Sequence, residues 1–137
     1  MSPQFQIARH RIHLAHATID EADVLIAALR WRGALNRIYY AAFYAARALL
    51  ATHDLDSGRH SGVIALFQQH FVKTGLVQDR TARTLPRSFQ SRQTSDYADA
   101  AEPTAEEVRA LRTEVAEFIS ECGRVVDQLA AATGAGG

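Results

Sequence analysis

Two long stretches of this 137-residue chain place apolar residues at alternating steps of three and four. The first is Phe5, Ala8, Ile12, Ala15, Ile19, Ala22, Ile26 and Leu29; the second is Val108, Leu111, Val115, Phe118, Cys122, Val125 and Leu129. At 3.6 residues per turn, each set falls on one side of a helix and makes a single apolar stripe. Such a helix is stable only when another element covers the stripe. The chain must therefore pack helices on helices, and no segment shows the sustained period-two alternation of a strand.

The residues between these stretches fill in the bundle. Gly33 is read as the break between the first helix and a second running from about Ala34 to Thr52. Asp54-Leu55-Asp56-Ser57-Gly58 has loop composition. A third helix is expected from about His60 to Lys73, with Gly75 as its stop. The fourth, from about Gln78 to Ser95, contains Pro86, which should kink or split it. Thr104-Ala105-Glu106-Glu107 after Pro103 is a capping box that opens the last helix. The expectation is an all-α, up-and-down bundle in one domain over residues 1–132, followed by a frayed tail at 133–137.

Fifteen Lys plus Arg balance fifteen Asp plus Glu, which argues against a general DNA coat driven by phosphate neutralisation. Lys73 is the only lysine, so nearly all the basic charge is guanidinium, suited to planar carboxylates and phosphates. Cys122 has no second cysteine to pair with and sits at an apolar helical position, as core filler does. No apolar run approaches the roughly 18 residues of a membrane span, and a cytoplasmic protein is expected.

The segment 38-IYYAAFYAARALL-50 combines four aromatics, five alanines and one arginine. Leu35, Ile38 or Tyr39, Ala42, Ala46 and Leu49 form its bundle-facing seam. Tyr39, Phe43 and Arg47 share one face, and Tyr40, Tyr44 and Arg47 share another. One face can be core and the other a pocket wall; composition does not choose between them. Arg59 and His60 stand where the third helix begins, where free N–H groups suit an anion. From Arg80 to Ser95 there are four arginines and no acid. Arg80, Arg83 and Arg87 share a face, and Arg92 is followed by Asp96 and Tyr97. His10, His13 and His16 lack the spacing of a zinc set, and neither a metal nor a cofactor is expected.

Asn36 to Leu50, then Arg59-His60-Ser61-Gly62-Val63-Ile64-Ala65-Leu66-Phe67, Phe71-Val72-Lys73-Thr74-Gly75, and Arg92 through Asp96-Tyr97 together resemble a HEPN domain, the higher eukaryotes and prokaryotes nucleotide-binding family. The resemblance is to its small stand-alone prokaryotic branch and covers nearly the whole chain. It implies an antiparallel four-helix bundle with an additional short helix, a homodimer, and a minimal nucleotidyltransferase as partner in a toxin–antitoxin-type module. Catalytic members are metal-independent ribonucleases with an Arg, four to six residues, then a His. Here Arg92 matches, but Tyr97 stands at the His position, and an unperturbed phenol is a poor base at neutral pH. The leading expectation is a protein that binds nucleotide or RNA through Arg92, Asp96, Arg47, Arg59, His60, Tyr40 and Tyr44, without strong catalysis of its own. In one version Tyr97 accepts a nucleotidyl group from the partner. The alternatives are an endoribonuclease using Arg92 with Tyr97 or His60, and a structural dimerisation module.

Overall fold

The computed structural model describes residues 2–96 and 101–134; Tyr97 and the last three residues lie outside them. Six helices follow in order: α1 (Pro3–Ala27), α2 (Trp31–Thr52), α3 (His60–Phe67), α4 (Asp79–Ala82), α5 (Thr84–Ser95) and α6 (Ala105–Gly134). The described residues contain no strand. α2 lies at the centre and packs against α1, α6, α5 and α3. This explains its alanines: Ala34, Ala41, Ala42, Ala45, Ala46 and Ala48 are fully buried, and side chains this small let neighbouring backbones approach from several sides. The two heptad stripes are both covered, as expected, in a single core. Phe5, Ala8, Ala15, Ile19 and Ala22 of α1 share one core with Val108, Leu111, Val115, Phe118, Cys122 and Val125 of α6.

The first break in the chain is not at Gly33. α1 ends at Ala27, and Gly33 lies in the first turn of α2. The reversal is made by Leu29 at φ 60°, with the Arg30 N–H on the Leu25 carbonyl and the Leu29 N–H on that of Ile26. This is a Schellman cap, a position at which glycine is the usual residue. α2 ends the same way on Asp54 at φ 55°, with Leu55 N–H on Leu50 O and Asp54 N–H on Ala51 O. Neither stop uses glycine, so the nearby Gly33 was a misleading signal. Gly33 instead serves packing, since a Cβ there would stand 3.4 Å from Leu25 Cδ1.

Past Phe67 the third helix widens into one π turn, Gln68–Val72, and ends at Gly75 with φ 79°. The fourth expected helix is split at Arg83. Pro86 carries no N–H for the Ala82 carbonyl and crowds it, so the chain restarts with Pro86 inside the first turn of α5, where no bond is lost. The capping box forms as drawn: the Thr104 N–H donates to Glu107 Oε2 and the Glu107 N–H to Thr104 Oγ1, both at 3.1 Å. Arg112 of α6 grips Asp23 of α1 with two bonds of 2.8 Å, which sets the register between these antiparallel helices.

Candidate functional site

One face of α2 meets the start of α3 and the end of α5, and most of the expected site residues gather there. Tyr39 is completely buried, and its hydroxyl lies 2.8 Å from His60 Nδ1. The His60 ring also packs on Phe43, with centroids 4.4 Å apart. From α5, the Arg92 guanidinium covers the Tyr39 ring at 5.0 Å and the Tyr40 ring at 5.6 Å. Arg92 Nη1 donates to the Tyr40 hydroxyl at 3.3 Å. His60 and Arg92 thus flank the same tyrosine, a neighbourhood that nothing in the sequence supplied. Ile38 and Tyr39, the two alternatives for one seam position, are both core, but the polar end of Tyr39 reaches the site and links the two.

Arg92 is only partly satisfied. Its Nε is buried without a hydrogen-bond acceptor among the described residues. Asp96, exposed at the end of α5, holds its carboxylate 3.9 Å away, close enough to attract but too far to bond. Arg47 extends from the Tyr39–Phe43 face and makes two bonds to Asp56, at 3.3 and 2.8 Å. Arg11 of α1 donates to the Arg47 carbonyl at 3.1 Å and lies 3.9 Å from the same Asp56. Phe43, Arg47, Asp56, Ser57, Gly58 and His60 line an open recess of about 510 Å³. A second recess of about 560 Å³, bounded by Ile64, Pro86, Phe89, Gln93 and Asp96, lies between α3 and α5.

Two other expected members sit at the margin. Tyr44 is half-buried beside Tyr40, with ring centroids 6.1 Å apart. Arg59 is exposed at the N-cap of α3, where its own N–H bonds Ser57 Oγ at 3.2 Å. In the arginine run before Arg92, Arg83 pairs with Asp79, just outside the run, and Arg87 with Glu114 of α6. Asp56, Arg11 and Phe89 were not anticipated. Asp56 was hidden inside loop composition, although a carboxylate beside a helix start facing Arg47 was a usable sign.

The electrostatics follow from this placement. Burial, then Arg92 and Arg47, pushes His60 below the ordinary imidazole range, so it is neutral near pH 7. Burial raises the Tyr39 phenol far above its usual range, more than Arg92 lowers it. Tyr39 therefore keeps its proton, and its one hydrogen-bond partner among the described residues is His60 Nδ1. The hydroxyl donates there, which places the imidazole proton on Nε2. In that tautomer His60 offers an N–H to an incoming group. Asp56 is driven up by burial, but bonds from Arg47 and the Ser57 N–H and the charges of Arg47 and Arg11 outweigh this and hold it ionised. Arginines outnumber carboxylates here, so the site attracts anions.

Among the described residues, no group of three or more His, Cys, Asp or Glu side chains could hold a metal ion, and His10, His13 and His16 are exposed. No described helix is long and apolar enough to cross a membrane.

Comparison with known proteins agrees with the fold. The HEPN domain model matches residues 8–125. A UPF0332 protein of Thermotoga maritima is 33% identical over 129 residues, covering 94% of this chain and 98% of the relative. Two proteins of Methanocaldococcus jannaschii, each named "putative toxin", are 30% and 31% identical and cover 86% and 73% of this chain, and 87% and 68% of their own lengths. The chain is a member of the HEPN family.

Proposed function

We propose that this HEPN protein binds the phosphate of a nucleotide or an RNA strand at the Arg92–Tyr40–His60 site. In this reading it acts as a homodimer with a nucleotidyltransferase partner, in a toxin–antitoxin-type module. The observation that carries the reading is Arg92: a guanidinium whose Cζ lies 5.0 and 5.6 Å from the centres of the Tyr39 and Tyr40 rings, with a buried Nε that has no acceptor among the described residues. An anionic oxygen is the acceptor a guanidinium favours, and the Arg92 side chain is 20% exposed. The His60 Nε2–H and the half-buried Tyr44 ring add a donor and stacking surface nearby. The names of the two archaeal relatives support the toxin-type setting.

The test is titration of the purified chain with mononucleotides and short RNA, with Arg92→Ala alongside. Loss of about tenfold or more in affinity is expected, since one charge-assisted contact contributes on the order of 1.5–3 kcal/mol. Arg92→Lys should recover only part of it, because an ammonium cannot reproduce the planar fork. Equal affinity in wild type and Arg92→Ala would end the reading. Tyr97 as a nucleotidyl acceptor is tested by mass spectrometry after incubation with partner and ATP; an unmodified Tyr97 removes that version.

A second reading, a metal-independent ribonuclease, draws on one specific observation: neutral His60 stands beside Arg92. In the alternative tautomer, with its proton on Nδ1, neutral His60 would take the 2′-hydroxyl proton on Nε2 as the 2′-oxygen attacks phosphorus, and the imidazolium so formed would protonate the leaving 5′-oxygen, while Arg92 steadies the phosphate. Cleavage of a mixed RNA pool in EDTA by wild type, abolished in both Arg92→Ala and His60→Ala, would establish it. Intact RNA in every lane would leave the binding reading in place.

A further inference from the structure

A phosphate at Arg92 leaves unused the open recess of about 510 Å³ that begins at His60 and is walled by Phe43, Arg47 and the loop between α2 and α3. The His60 ring, packed on Phe43 with centroids 4.4 Å apart, belongs to both halves of the site. The chemistry of the recess differs from that of the Arg92 side, because its charged wall is an ion pair. Arg47 donates from Nε to Asp56 Oδ1 at 3.3 Å and from Nη2 to Oδ2 at 2.8 Å. The Ser57 N–H donates to Oδ1 at 2.8 Å. A carboxylate offers about four lone-pair positions, so two donors fill Oδ1 and one occupies Oδ2. Arg11 Nη2 stands 3.9 Å from Oδ2, near enough to attract but beyond hydrogen-bond reach. Among the described residues, one acceptor position on Oδ2 is therefore left open, on a side chain that is 51% exposed.

A second anion is a poor occupant for that position, since the carboxylate is itself negative and repels it. A neutral hydroxyl suits it, and an O–H bond to an ionised oxygen is stronger than one between neutral groups. In any nucleotide the unit next to the phosphate is the sugar. Of the sugar hydroxyls, the 2′ is free both in a mononucleotide and inside a strand, and deoxyribose lacks it. A carboxylate placed to accept from a ribose 2′-hydroxyl is also how dinucleotide-binding folds hold that sugar.

We infer that this recess seats the ribose of the ligand, with the 2′-hydroxyl donating to Asp56 Oδ2, and that Asp56 thereby selects ribose over deoxyribose. Arg47 is the brace that aims the carboxylate. The inference rests on the phosphate reading at Arg92 and adds to it the sugar and the residue that selects it. Mononucleotides test it, because they present phosphate and sugar with no internal linkage to cleave. The full chain is titrated by calorimetry with AMP, GMP, CMP and UMP and with the 2′-deoxy counterpart of each. Wild type should bind the ribose form about tenfold more tightly, as for one hydrogen bond to a charged group. Asp56→Ala should bring that ratio close to one. Asp56→Asn, which keeps the shape and one neutral acceptor, should give a ratio in between. Were Asp56 only a support for the loop, either change would alter both sugars alike and leave the ratio where it was. That result, or a wild type that binds both sugars equally, would overturn the inference. Arg92→Ala should weaken both sugars alike and preserve the ratio. Equal binding of the two sugars, with both weakened by Arg92→Ala, removes the sugar assignment and leaves the phosphate reading. A ratio that depends on Asp56 in a protein indifferent to Arg92→Ala does the reverse. Absence of binding by wild type overturns both.

Discussion

Replacing Tyr39 with phenylalanine removes one oxygen atom and leaves the ring packing on Phe43, Phe89 and Arg92 in place. The lost oxygen is buried and 2.8 Å from His60 Nδ1. A neutral hydrogen bond of this kind contributes about 1 kcal/mol net, and a fully buried orphan acceptor would add about 1–3 kcal/mol more. His60 is only half-buried, so water can reach its ring and most of that second cost is avoided. The expected loss is therefore about 1 kcal/mol, or a melting temperature lower by about 3–5 °C in a domain of this size. Urea unfolding at pH 8, where His60 is neutral in both folded and unfolded chains, measures it. The decisive comparison is a double-mutant cycle. In a His60→Ala background the Tyr39 hydroxyl has already lost its partner, so removing it should cost nothing or stabilise slightly. A coupling energy below about 0.3 kcal/mol would lie within ordinary additivity and would refute both the bond and the tautomer assigned to His60.

Stability should also depend on pH through the histidines. Burial first, then neighbouring charge, holds His60 and His53 below the ordinary imidazole value: Arg92 and Arg47 act on His60, and His70 on His53. Below about pH 6.5 the unfolded chain binds protons that the folded chain does not. Stability should be full above that pH and be lost as pH falls through the two folded values; urea midpoints at pH 8 and 5.5 check this, and His60→Gln should flatten the difference. Gly62→Ala should destabilise by about 1–3 kcal/mol, because the new Cβ would stand 2.1 Å from Ser57 Oγ and 2.9 Å from Ser57 Cβ. Ser57→Gly in the same chain should recover part of this in thermal melts. Cys122 is completely buried, and burial together with the Glu121 charge pushes its thiol well above the usual range. A disulfide reagent at pH 8 should leave the native protein unlabelled and label one thiol on unfolding in urea.

The helical architecture was legible in the sequence because it rests on local chemistry. A three-four stripe requires a helix and a partner wherever it occurs, and the Thr104–Glu107 cap and the Pro86 split act through bonds a few residues long. The HEPN resemblance likewise rested on contiguous segments, among them Arg59 to Phe67 and Arg92 to Asp96. Local rules failed where the chain used a residue out of type: Leu29 and Asp54 stop helices at positive φ that composition assigns to glycine. The two faces of α2 carried similar aromatic and basic residues, so sequence left open which was core and which was wall. Tertiary structure decided it. α3 and α5 lean on α2 from one side, bury Tyr39, and bring His60 to its hydroxyl and Arg92 over its ring, while Asp56 takes Arg47. Those pairings link residues far apart along the chain, and no periodicity encodes which guanidinium meets a carboxylate and which is left with a buried N–H. Sequence alone determined that there would be helices, how long most would be, and which stripes would be covered; packing alone determined which polar groups were left unsatisfied, because that depends on what the other helices bring within 3 Å.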